Sequence, residues 1–181
     1  EIIDWDISSY LVASNSVISG SLPYELQWES KGPLLFYVYG IIVKLVSGNL
    51  IYFKLINDLV LVAVSYLLYL SVKSNTKNTL SVISSTFFIL LFSQPWAISA
   101  YSELYCLLFI AIAYYADLKI NTRKHLLIGL CFAFSTLINQ GSIIFIIPFV
   151  LKYIKEKNIS NVVKLSVGFL LPYIIFISLF A

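Results

Sequence analysis

The sequence predicts an all-α, polytopic membrane helix bundle. Hydrophobic residues make up 60% of its 181 positions and charged residues only 12%. Soluble domains carry about 25% charged residues, and the mean hydropathy here is +0.90. The apolar residues also fall in long blocks separated by short polar stretches, the pattern of repeated crossings. This composition excludes an ordinary cytosolic enzyme, a disordered tail and a nucleic-acid-binding module. The chain has no methionine and is expected to be a piece of a longer membrane protein. Cys106 and Cys131 both lie in apolar blocks. They read as buried thiols, with a disulfide between membrane helices as the alternative.

Residues 1–48 form a loop region that holds two short helices. From Asp6 to Ser19, the apolar residues Ile7, Tyr10, Leu11, Val17 and Ile18 share one helical face. The segment is too short and polar to cross, so it lies on the membrane surface. Gly20 and Pro23 end it. Pro33 opens a second interfacial helix that runs to Val46, before Gly48.

Residues 49–181 then hold about six crossings in a single domain. Leu50 to Val72 is the first, long enough for about 30 Å of hydrocarbon at about 1.5 Å per residue. Leu80 to about Ser99, Tyr101 to Ala116, His125 to Ile138, Ser142 to Tyr153 and Leu165 to Phe180 follow. The fifth is short, as helices are where a protein cavity borders one end.

Charge sets the orientation. Lys73, Lys77, Lys119, Arg123, Lys124, Lys152, Lys155, Lys157 and Lys164 fall in the connections after the first, third and fifth crossings, nine of the 12 basic residues. By the positive-inside rule these connections face the cytoplasm. Glu1, Asp4, Asp6, Glu25, Glu29 and Glu103, six of the 9 acids, face the periplasm or lumen. The sequon Asn158-Ile159-Ser160 falls on the inner side, where it should not be glycosylated.

The outer loop is where chemistry can sit. Asp6 starts the first surface helix and Lys31 stands just before the second. A cation beside free N–H groups at a helix start suits a phosphate. A carboxylate facing it suits proton removal from an incoming hydroxyl. Each residue also has a plainer reading: Asp6 as a helix cap, Asp4 as a solvated loop acid, Lys31 as an interfacial anchor, and Tyr10 and Tyr24 as aromatic-belt residues. Glu103 is either exposed to outer water or turned into a membrane cavity. Asn139 and Gln140 either bond between helices or face substrate. Lys54 and Asp58, four residues apart, read as an intrahelical pair. His125 reads as a helix-start residue. No His, Cys or acid cluster has metal-ligand spacing and no nucleotide-binding glycine loop is present. No cofactor is therefore expected, a divalent metal being allowed but not indicated.

The run Asp6-x-x-x-Tyr10, Ala13, Gly20, Pro23-Tyr24 and Lys31-Gly32-Pro33-Leu34-Leu35 resembles the first outer loop of membrane glycosyltransferases of the GT-C fold. The similarity is to the branch of protein O-mannosyltransferases and lipid A aminoarabinose transferases. Ser102-Glu103 at a helix start and the Gly129 to Pro148 stretch, with a polar pair before Gly141, are similar too. The resemblance implies an integral enzyme of the inner or plasma membrane that builds cell-envelope glycans. It would move a sugar from a polyprenyl-phosphate carrier to a hydroxyl of a glycan, lipid or protein, with inversion, on the periplasmic or lumenal side. It implies Asp6 as catalytic base and Lys31 on the carrier phosphate, with Tyr10, Tyr24, Glu103 and Gln140 as further substrate contacts. Two positions depart from the family pattern: Ile7 replaces an acid, and Asn139-Gln140 replaces a lysine. Two rivals remain. One is a transporter or flippase of lipid-linked solutes, although the acids gather in a loop rather than at mid-membrane. The other is a non-catalytic GT-C relative.

Overall fold

The computed structural model describes residues 5–93, 101–120 and 124–180, and these are helices and connecting turns without a strand among them. The order is α1 (Trp5–Ile18), α2 (Pro33–Leu45), α3 (Leu50–Lys73), α4 (Asn78–Phe92), α5 (Ser102–Lys119), α6 (Lys124–Ile138), a 3-10 helix (Gln140–Ile146), α7 (Ile147–Lys155) and α8 (Ile159–Phe180). Asp4 and Arg123 lie outside the described residues, as does the end of the expected second crossing.

The first two helices pair. Ile7, Tyr10, Ala13, Ser14 and Val17 form the buried face of α1, spaced for one side of a 3.6-residue helix. They meet Leu35, Phe36, Tyr39 and Gly40 of α2. Pro33 starts α2 without sacrificing a hydrogen bond, because a first-turn N–H has no partner in the helix. Asn49 then caps α3, its side chain accepting from the Ile51 and Tyr52 N–H groups at 2.9 and 3.4 Å.

Tyr39, Phe53 and Tyr105 bring α2, α3 and α5 together, with ring centroids 5.4 and 5.5 Å apart. Buried Asn57 of α3 accepts from the Tyr105 hydroxyl at 2.6 Å, so neither polar group is left unpaired. α6 is the hub of the second half and packs on both α5 and α8. Cys106 and Ser135 exchange side-chain to backbone hydrogen bonds across α5 and α6 at 3.3 and 3.4 Å. Both cysteines are buried and free, as the apolar blocks predict. The α6–α8 contact runs backbone to backbone: a Cβ on Gly129 would strike the Leu165 carbonyl, and one on Gly168 the Leu126 carbonyl. Small residues permit such close helix approach.

Two helices, Leu50–Lys73 and Ile159–Ser178, are long and apolar enough to cross a membrane. Only 17% of each apolar window is buried, so neither is an interior helix. The other expected crossings are shorter or more charged. α6 has 15 residues and α7 only 9, and α5 carries Glu103, Asp117 and Lys119. Boundaries also differ from expectation: the stretch expected as one crossing from Ser142 to Tyr153 is divided between the 3-10 helix and α7. α8 begins at Ile159 rather than Leu165, because Asn158 caps it, its side chain accepting from Asn161 N–H at 3.3 Å. Lys164 therefore sits in the helix and not in the preceding connection.

Substituting Gly129→Val should destabilise the protein by about 1–3 kcal/mol, the usual range for overpacking a tight contact. Thermal unfolding in detergent checks this. An unchanged melting temperature would mean that α6 and α8 do not meet at Gly129.

Candidate functional site

The site begins with a backbone contact. Gly32 N–H donates to the Ile138 carbonyl at 2.8 Å. A Cβ at this position would overlap the Leu137 carbonyl, so only glycine fits. This contact fastens the loop before α2 to the last turn of α6. The neighbouring Lys31 is thereby held beside the start of α5.

There the Lys31 ammonium meets Glu103 Oε1 at 2.9 Å. Asn139 Nδ2 donates to the same oxygen at 2.8 Å. The Ser102 hydroxyl donates to Glu103 Oε2 at 3.0 Å and accepts from Asn139 Nδ2 at 3.3 Å. Asn139 Oδ1 accepts from Gly141 N–H at 3.0 Å, capping the 3-10 helix. One asparagine therefore ties the end of α6 to the start of α5. The Lys31 side chain is 18% exposed and that of Glu103 is 49% exposed.

Tyrosines border the cluster on the α1 side. Lys31 Nζ lies 6.0 Å from the centre of the Tyr10 ring, within cation–π reach. Burial, then the negative charges of Asp6, Glu103 and Glu29, drives the Tyr10 hydroxyl far above its ordinary pKa. It stays protonated in any physiological buffer. Asp6, exposed in the first turn of α1, and Glu103 thus both act on the Tyr10 hydroxyl. Tyr24 donates its hydroxyl to the Lys31 carbonyl at 2.6 Å. Burial pushes its pKa up to about 12, with Glu29 adding to the shift. Tyr24 holds a φ of 69°, a left-handed conformation that an aromatic residue rarely adopts. Its edge-on contact with Phe36, at 5.6 Å, helps to keep it there.

Beyond Glu103 opens a cavity of about 310 Å³ between α5 and the 3-10 helix. Glu103, Asn139 and Ser142 line its polar end, and Leu107, Ile110 and Phe145 its apolar walls. Leu107 and Ile110 also line a second, apolar cavity of about 480 Å³ bordered by α3, α4 and α5. Ser142 is only 5% exposed, and its Oγ is buried with no hydrogen-bond partner among the described residues. Such an orphan costs about 1–3 kcal/mol.

The residues singled out in the sequence are thus sorted. Lys31, Tyr10, Tyr24 and Glu103 meet in one cluster, with Asp6 on its α1 border. Gln140 does not join it: it is exposed at the start of the 3-10 helix, and its neighbour Asn139 makes the contacts. Lys54 and Asp58 form no ion pair, in keeping with the weaker orientation of a basic residue preceding an acid at this spacing. In the sequence Ser102 stands only as a helix start beside Glu103, and Ser142 only as the start of an expected crossing; neither carries a site signal there. At the far end of α5, Asp117 pairs with Lys152 at 2.7 Å and Lys124 at 3.3 Å. No group of three metal-binding side chains occurs among the described residues. Compared with family models, curated proteins and solved structures, the chain gives no match.

A double-mutant cycle with Lys31→Ala and Glu103→Ala should give a coupling energy below about 1 kcal/mol, because Glu103 is half exposed. The coupling should shrink further as salt rises. Denaturation in detergent measures it. A coupling of several kcal/mol that is insensitive to salt would mean a buried structural strut.

Proposed function

We propose that the protein is an integral membrane glycosyltransferase that moves a sugar from a polyprenyl-phosphate carrier to a hydroxyl, with inversion, on the periplasmic or lumenal side. One observation carries this reading: the Lys31 ammonium, the Glu103 carboxylate and buried Tyr10 meet beside a cavity, Asp6 acts on the same tyrosine, and the apolar surfaces of neighbouring helices are exposed. Exposed apolar faces of this extent call for a lipid neighbour. On this reading the shorter helices accompany α3 and α8 in the bilayer, making about six passes, and α1 and α2 rest at the outer interface.

Each group then has a task. Asp6 takes the proton of the acceptor hydroxyl as its oxygen attacks the anomeric carbon. The bond from that carbon to the phosphate oxygen breaks, and the electron pair leaves with the phosphate. Lys31 turns from Glu103 to the phosphate and stabilises its charge. Glu103 keeps its hydrogen bonds from Asn139 and Ser102, so it is not stranded when the lysine moves. Tyr10 and Tyr24 hold the lysine's surroundings. No metal is needed for these steps. The Lys31–Glu103 pair itself favours the rival reading of a non-catalytic relative, in which the lysine is a fixed strut.

Transfer from a polyprenyl-phosphate sugar, assayed with the full chain in membranes, separates the two. Asp6→Asn should cut transfer by about a hundredfold or more at unchanged expression, and Lys31→Ala should raise the donor concentration needed. Full activity in Asp6→Asn would remove the assignment of the base. Binding of the donor unaffected by Lys31→Ala would leave the lysine a strut.

A further inference from the structure

We propose that the cavity between α5 and the 3-10 helix seats a neutral, hydroxyl-rich sugar ring, with Ser142 and Glu103 reading its hydroxyls. This rests on the glycosyltransferase reading and adds where the sugar sits and which residues select it. Four features support it. Ser142 Oγ is a buried hydroxyl without a partner, and a ligand hydroxyl can both donate to it and accept from it. Glu103 brings a carboxylate to the same cavity, an acceptor suited to sugar hydroxyls. Leu107, Ile110 and Phe145 offer an apolar wall to the C–H face of a ring. The volume, about 310 Å³, is at the lower end for small-molecule sites.

Charge decides which part of a lipid-linked sugar enters. Glu103 is the one charged residue among the described residues lining this cavity, so its charge repels a phosphate. Lys31 lies outside the lining and pairs with Glu103 from the loop side. The phosphate and the sugar are therefore held on opposite sides of one carboxylate. Glu103 becomes a divider that rejects an anion from the sugar seat and holds the cation in place until a phosphate draws it away. The second cavity, which shares Leu107 and Ile110, is lined by Ser71, Asn75 and Thr76 among apolar residues and has no carboxylate among its described lining residues.

A photoreactive octyl glucoside, with a diazirine on the first alkyl carbon, tests the seat. The full chain is placed in phosphatidylcholine nanodiscs, labelled, digested and mapped by mass spectrometry. Labelling should fall on residues 103–110 and 141–145. Excess octyl glucoside should suppress it, and octyl phosphate should not. Ser142→Ala should lower labelling by about tenfold, the loss of one hydrogen bond to a buried hydroxyl. The melting temperature should not fall, since Ser142 Oγ bonds to none of the described residues. Labelling elsewhere, equal suppression by octyl phosphate, or undiminished labelling in Ser142→Ala would each overturn the proposal. Because labelling involves no transfer, the two readings fail separately. An active enzyme with Ser142-independent labelling loses only the seat. A labelled protein whose Asp6→Asn variant is fully active loses only the base.

Discussion

The arrangement depends on one close backbone contact, that of Gly32 with the end of α6. A single hydrogen bond of 2.8 Å joins Gly32 to Ile138, and the absence of a side chain allows the approach. Without it, the loop before α2 would be placed relative to α5 only by the packing of α2 itself, through Tyr39 against Tyr105, and by the Tyr24 hydroxyl on the Lys31 carbonyl. Lys31 would then be a flexible cation on the surface, paying the full entropy of ordering a long side chain. With it, the ammonium reaches Glu103, and the α1–α2 pair is fastened to the helices behind.

The polar cluster that results is balanced but unequally committed. Glu103 accepts from Lys31, Asn139 and Ser102, so it can release one donor and remain satisfied. Lys31 has the π face of Tyr10 as its other neighbour and can turn toward an anion at modest cost. The tyrosines around it are held neutral by burial and by nearby acids, so they add no charge, and Tyr24 donates to the Lys31 carbonyl. Asp6 borders this network, exposed on the first turn of α1, and its charge reaches the Tyr10 hydroxyl.

Much of the helical layout was legible in local chemistry. Pro33 and Gly48 bracket α2, and the apolar spacing from Ile7 to Val17 gives the buried face of α1. Long-range choices were not legible. Lys31 and Glu103 are 72 positions apart, and no periodicity links them. Between Asn139 and Gln140 the chain itself offers no reason to prefer one. The end of α6 decides it by turning the first inward and leaving the second in the open. The bounds of the helices within the expected crossings were not legible for a related reason. Hydropathy reads continuous apolar runs, whereas caps such as Asn139 and Asn158 cut or extend the helices within them. Ser142 escaped notice because an isolated serine carries no signal until its surroundings are known to be closed.

The most direct test is equilibrium binding of a short-chain polyprenyl monophosphate to the full chain in nanodiscs, for the natural protein and for Gly32→Val. Circular dichroism confirms that the helices remain. If the glycine contact brings the loop cation to the phosphate site, the natural protein binds and the variant loses most of its affinity at unchanged helicity. Equal binding by both would contradict the account, because the phosphate would then be held by something other than the anchored Lys31.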